Sequence, residues 1–286
     1  MKGRNSMSSF KVAAVFSDRM VLQRNKNINV FGTGTNNSIV TVEFEGNTAK
    51  AVVKNGRWLT VLPPHEAGEG YEMTVSCDGA EKHFTDIAVG EVWLAGGQSN
   101  MEFFLRYEKD WDTVKNYEVN PLIRVYNVPQ TAFEGHRKPY PGYGRWMQSD
   151  DSDFETFSAP AYSFARTVQP EVGVPIGIIG CNWGGTTATA WLDESLLTKE
   201  PLNIYLKEYE DACALYSEEE MTRISHDAWE FEDSPQHDMD FRPLLYGRDY
   251  EWQKQYMKEH DGEPVIPMGP YNINRPGGLY HLMLEP

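Results

Sequence analysis

The stretch Gly90-Glu91-Val92-Trp93-Leu94-Ala95-Gly96-Gly97-Gln98-Ser99-Asn100-Met101-Glu102 decides how the rest of the chain is read. Val92 to Ala95 form a short apolar run that predicts a buried strand. The glycine pair lets the backbone turn sharply at its end, and Met101 to Leu105 can begin a helix. Ser99 then sits at a strand-to-helix junction. In an open α/β sheet such a junction lies at the carboxyl edge, where ligands bind and the first N–H groups of a helix lack partners. A serine hydroxyl is a poor nucleophile at neutral pH until a base takes its proton and N–H groups hold the developing oxyanion. The same position also suits an N-cap or a loop serine. The string is not the Gly-x-Ser-x-Gly elbow of α/β hydrolases, because Met101 stands where the second glycine is required.

On the N-terminal side, residues 10 to 88 alternate with period two between turn signals, the mark of half-buried antiparallel strands. Val40, Val42 and Phe44 alternate with Thr41, Glu43 and Glu45. Asn55-Gly56 predicts a hairpin between Lys50–Lys54 and Trp58–Leu62. Tyr71, Met73, Val75 and Cys77 make another alternating set, and Asp78-Gly79 turns the chain toward Lys82–Ile87. Pro63-Pro64 and Gly68-Glu69-Gly70 punctuate the series, which reads as a small all-β sandwich.

Past residue 88 the pattern changes to apolar strands separated by helical stretches, as in a parallel α/β sheet. Val89–Ala95, Leu122–Val128 and Pro175–Cys181 are the expected strands. A helix capped by Ser158, with Tyr162, Ala165 and Val168 on one face, precedes the third, and Gly184-Gly185-Thr186 opens another through Trp191. Residues 195 to 260 are acidic, aromatic and helical by pattern, with Leu202, Tyr205, Leu206, Tyr209, Cys213 and Tyr216 on one face. Core packing is the expectation for these and for Trp229 and Trp252, with sugar stacking as the alternative for the two tryptophans. The organisation is thus a polar tail over 1–9, a β-sandwich over 10–88 and an α/β domain over 89–286.

The 286 residues carry a formal charge of −16, which opposes binding to nucleic acid or to anionic membrane. Cys77, Cys181 and Cys213 are widely spaced and read as core residues. No ligand pattern calls for a metal or cofactor. The first nine residues are polar, and no long apolar run follows, so a soluble chain in the cytoplasm is expected. No oligomeric state follows from the sequence.

Val89-Gly90-Glu91-Val92-Trp93-Leu94 followed by Gly97-Gln98-Ser99-Asn100-Met101-Glu102 resembles the first block of the sialate O-acetylesterase family, within the SGNH (GDSL-like) hydrolases. Phe16–Arg24 and Asn55-Gly56-Arg57-Trp58 are similar to that family's β-sandwich. Phe157–Arg166, Gly173–Gly177, Trp183-Gly184-Gly185-Thr186 and Ala190-Trp191 are similar to the segments after its nucleophile. The resemblance implies an SGNH-type three-layer α/β/α parallel sheet behind a β-sandwich, with O-acetylated sugar as substrate. It implies Ser99 as nucleophile, an acetyl-enzyme intermediate, and an oxyanion hole from the N–H groups of Ser99 and of Gly184 or Gly185. Close strand–helix packing is the alternative reason for that glycine pair.

Two departures bear on this reading. Thr189 stands where the family usually has a glutamate. The family's Tyr-Gln-Gly-Glu-Ser block and its late Asp-x-x-His base are also not found. Leu62, Ala80, Phe133, Arg223, Ser234, Met257 and Gly278 stand three places before the seven histidines. His237, flanked by Asp233, Asp238 and Asp240, is the remaining candidate base. The chain therefore reads as the front part of such an esterase, its sheet incomplete and an edge uncovered. The competing expectations are a non-catalytic carbohydrate-binding or scaffold protein and an inactive fragment.

Overall fold

The computed structural model describes residues 10–234, 245–246, 250–259 and 261–285. The chain divides into two compact units. One comprises Met1–Gly96 (described from Phe10), Tyr117–Val128 and Gly142–Gly180; the other comprises Gly97–Asn116, Pro129–Pro141 and Cys181–Pro286. It is a mixed α/β fold with antiparallel sheet in its N-terminal part and a mixed sheet with parallel strands beyond it.

The first unit opens with β1 (Lys11–Val12), β2 (Val21–Gln23), β3 (Ile28–Thr33), β4 (Ile39–Phe44), β5 (Asn47–Val52), β6 (Arg57–Leu62), β7 (Gly68–Cys77) and β8 (Ala80–Gly97). The remaining strands are β9 (Ile123–Asn127), β10 (Trp146–Met147) and β11 (Ile176–Asn182). One sheet has the order β1-β3-β6. The other runs β10-β9-β11-β8-β7-β4-β5, with β2 paired in parallel to β8. Alternation explains the core: Val40, Val42 and Phe44 of β4 and Trp58 and Leu62 of β6 are buried together, while Glu43, Leu59 and Val61 point outward. β9 and β11 pair in parallel, and every residue of β9 is buried, as expected for a strand covered on both faces.

Three details differ from the sequence expectations. The turn at Asn55-Gly56 joins strands of different sheets: β5 pairs with β4 and β6 with β3, leaving a single bridge between Lys54 and Arg57. Turn chemistry fixes the reversal but not the partner, and each strand takes the neighbour that buries its apolar face. Gly68-Glu69-Gly70, expected as a turn, belongs to β7, where the ladder to β8 shifts register between Gly68 and Tyr71. The segments expected as two strands, Lys82–Ile87 and Val89–Ala95, form one strand, β8. Residue 88 lies inside it, with no turn signal at Ala88-Val89 to break it. The Asp78-Gly79 hairpin is present, with Cys77 opposite Ala80.

Trp93 and Leu94 on β8 are 44% and 58% exposed, whereas a buried run was expected. Trp93 has an edge-on contact with Phe164 at 5.1 Å, itself partly open to solvent. Ala95 is buried.

The helices are α1 (Ser99–Glu102), α2 (Trp111–Val114), α3 (Ala159–Val172), α4 (Glu194–Leu197), α5 (Asn203–Cys213) and α6 (Glu218–Glu232), with a further helix at Tyr250–Glu259. Ser158 caps α3 by accepting the Ala161 N–H, and Tyr162 and Ala165 are buried on the expected face. A reciprocal Ser217–Glu220 capping box opens α6, which buries Met221, Ser225, Ala228 and Trp229 at helical spacing. Trp229 is therefore a core residue. On α5 no residue is fully buried: Leu206, Tyr209 and Cys213 are half-buried and Tyr205 is exposed, so the expected packed face is only partly covered. The side chain of Trp252 lies outside the described residues. No described helix is long and apolar enough to cross a membrane.

Candidate active site

β8 ends at Gly97, Gln98 takes the N-cap position of α1, and Ser99 is its first helical residue. The turn is closed by the N–H groups of Met101 and Glu102, which donate to the Gln98 carbonyl at 2.8 and 2.9 Å. Ser99 thus does not cap the turn. Its hydroxyl is exposed and donates to Gln98 Oε1 at 3.0 Å. The Gln98 amide is oriented by its own Nε2, which donates to the Thr186 carbonyl at 3.0 Å.

The glycine block follows β11. The Trp183 N–H donates to the Gly97 carbonyl at 3.2 Å and brings the two strand ends together. Thr186 Oγ1 donates to the Trp183 carbonyl at 2.7 Å and accepts Trp191 Nε1 at 2.9 Å, closing the loop on itself. Asn274 pins the loop from outside. Its Oδ1 accepts the Thr187 N–H at 2.7 Å, and its Nδ2 donates to the Gly185 carbonyl at 3.3 Å. A Cβ on Gly184 would lie 3.6 Å from Ser99 Oγ but only 2.7 Å from Glu102 Oε2, so the backbone comes this close because no side chain intervenes.

The two glycines expected as oxyanion donors differ in their surroundings. The Gly184 N–H donates to Glu102 Oε2 and is occupied. The Gly185 N–H has no acceptor among the described residues, and the residue is exposed. Ser99, as first residue of α1, has an N–H with no intrahelical acceptor. Thr189, in place of the family's glutamate, bonds through its hydroxyl to Thr187 at 3.0 Å and through its carbonyl to the Gly277 N–H at 2.9 Å.

Sequence reasoning gave Glu102 and Gln130 no role. Gln130 is fully buried; its Nε2 donates to Glu102 Oε1 at 2.6 Å and to the Asn182 carbonyl at 3.1 Å. Burial pushes the Glu102 carboxyl above its ordinary range, against the Gln130 amide, the Gly184 N–H and the Lys138 charge, which all favour the carboxylate. The one available signal was the Ser99-x-x-Glu102 spacing, which looks like a capping box; here the glutamate turns to the glycine loop instead.

No described histidine bonds Ser99. His136 Nδ1 accepts the Ala132 N–H at 3.1 Å and its Nε2 faces Asp233 Oδ2 at 3.1 Å, so the imidazole is the Nε2-protonated tautomer within a cluster of Phe133, Trp183 and Trp229 rings. His281 is bonded to Glu285, and His65 and His83 belong to the first unit. His226 is exposed on α6. His237, Asp238, Asp240 and His260 lie outside the described residues; Asp233, expected beside His237, is engaged by His136. Burial pushes the Cys181 thiol up to about 12, which leaves it a core thiol rather than a nucleophile. Among the described residues, no group of three or more His, Cys, Asp or Glu side chains is placed to hold a metal ion.

Residues 89–220 match the family model described as carbohydrate esterase, sialic acid-specific acetylesterase. Sialate O-acetylesterase of Pongo abelii is 26% identical over 207 residues, 66% of this chain and 40% of that protein. Its Homo sapiens counterpart gives the same 26% over 207 residues with the same coverage. Among solved structures, a carbohydrate acetylesterase from Xanthomonas citri is 33% identical, with a TM-score of 0.59, covering 68% of this chain and 44% of that one. The chain spans about 40% of the length of the curated relatives it matches.

Proposed function

We propose that this chain, whose residues 89–220 match the family model of sialic acid-specific acetylesterases among carbohydrate esterases, carries the nucleophile of a serine esterase site. This site removes O-acetyl groups from sialic acid or related acetylated sugars. In this reading Ser99 Oγ attacks the acetyl carbonyl, the sugar hydroxyl leaves, and water hydrolyses the acetyl-enzyme. The Ser99 and Gly185 N–H groups face the oxyanion, while the Gly184 N–H serves the architecture beneath them. The parallel strands β8, β11 and β9, with Ser99 just past a strand end, support an SGNH-type three-layer sheet.

One observation carries the proposal: Gly184 brings the loop after β11 so near the Ser99 turn that a Cβ there would lie 3.6 Å from Ser99 Oγ and 2.7 Å from Glu102 Oε2. A specific observation also favours a second reading, that of a non-catalytic carbohydrate-binding protein. The Ser99 proton points to Gln98 Oε1, an amide oxygen that cannot accept it as a base would. Intact-mass detection of fluorophosphonate labelling on the purified chain, with Ser99→Ala as control, separates the two. Labelling lost in the variant supports an activated serine; no labelling of folded chain supports the second reading.

A further inference from the structure

Glu102 sits one helical turn from Ser99 and receives two donors from two different segments: the Gly184 N–H on one oxygen and Gln130 Nε2 on the other. The Gln130 amide has a fixed orientation. Its nitrogen must face the Asn182 carbonyl, an acceptor, so the same nitrogen faces Glu102, and Gln130 Oε1 is left buried with no partner among the described residues. A buried acceptor without a partner is costly, and here the other end of the same amide bonds both Asn182 and Glu102. Two donors converging on the two oxygens of one side chain favour the ionised carboxylate, which accepts at both, whereas an amide would turn its NH2 toward one of the donors.

We propose that Glu102, as its carboxylate, is a positioning residue that fastens the Gly184 peptide beside the Ser99 turn, with Gln130 as the post that holds it; this rests on the serine-esterase reading. The clamp acts on the loop that presents Gly185, not on substrate. It also makes the site sensitive to pH, because protonating Glu102 replaces the charge-assisted hydrogen bond from the Gly184 N–H with a weaker one to a neutral carboxyl. The groups facing Glu102 are few. The 129–141 segment supplies the Gln130 amide and the Lys138 ammonium, which is also 3.9 Å from Glu232 and over the Tyr140 ring; His136, on the same segment, is held by Asp233. The glycine loop supplies the Gly184 N–H, and on its own turn the Ser99 hydroxyl is engaged by Gln98.

The test is a pH titration of the full chain labelled with 15N-glycine, the Gly184 amide being identified by its loss in Gly184→Ala. The expected result is a single inflection of the Gly184 amide shift above about pH 4.3, the ordinary glutamate value, and its disappearance in Glu102→Gln. That variant should also label with fluorophosphonate roughly tenfold or more slowly, the scale of one charge-assisted hydrogen bond, and its labelling rate should lose the matching step in the pH profile. A Gly184 amide that does not titrate in the native chain, or that titrates equally in Glu102→Gln, overturns the proposal whether or not Ser99 reacts. If native Ser99 is unlabelled at every pH, the esterase reading fails while the amide titration still decides the clamp, and the native titration needs no variant to fold.

Discussion

At Gly184 a single methyl group tests the geometry of the site. Alanine there places a Cβ 2.7 Å from Glu102 Oε2. The contact is with the end of a side chain, so the fold can yield, but only by moving Glu102 off the Gly184 N–H or off Gln130. Gly184→Ala is therefore expected to lower stability by about 1–3 kcal/mol and to slow Ser99 labelling by about tenfold or more. Retained labelling at the native rate would show that the loop does not constrain Ser99.

Glu91 answers differently to pH, and its sign is opposite to that of Glu102. Hydrogen bonds from Gln23 at 3.0 Å and Arg24 at 2.7 Å hold its carboxyl below the ordinary range. A carboxylate depressed in the folded state adds stability above its unfolded value, about 4.3, and loses it as pH falls through the folded value. Glu91→Gln should thus cost about 1–2 kcal/mol at neutral pH, shrinking as pH drops below about 4.3. Urea midpoints at neutral pH and at pH 3 read this directly, and an unchanged difference between them would count against the assignment.

Elements differ in how far their own residues specify them. α3 was legible because its signals are local: a Ser158 cap, Pro160 in the first turn and a buried Tyr162–Ala165 face. Ser158→Ala is accordingly expected to cost about 1 kcal/mol, measurable as a fall in thermal midpoint. β8 was legible in composition but not in length, since nothing local tells a strand that its neighbour on one side changes from β7 to β11. Gly90 marks that passage. A Cβ there would lie 1.9 Å from the Pro175 carbonyl oxygen, a backbone contact that cannot swing away, and the Glu91 N–H donates to the same oxygen at 2.9 Å. Gly90→Ala should cost about 3 kcal/mol, against a small effect at an exposed turn. The Ser99 turn and the glycine pair were readable as a motif. Glu102, Gln130 and the His136–Asp233 pair were not, because each acquires its partner only when segments far apart in sequence meet.

For the whole chain, two surface properties oppose each other. The net charge of −16 makes copies repel, while the exposed Trp93 on β8, edge-on to the partly exposed Phe164, offers an apolar patch of the kind that drives association. Repulsion between exposed charges is screened beyond about 8 Å at physiological salt, whereas burial of apolar surface hardly changes at that ionic strength. Added salt should therefore promote self-association, the reverse of what a surface held together by ion pairs would do. Sedimentation at a fixed protein concentration should show a monomer at low salt and growing association as sodium chloride rises, and Trp93→Glu should abolish the trend. A chain that stays monomeric at high salt would mean that the Trp93–Phe164 surface is too small or too well covered to pair. Association that persists in Trp93→Glu would move the contact to another surface, with the half-exposed Ile204 and Tyr205 of α5 the next apolar pair to change.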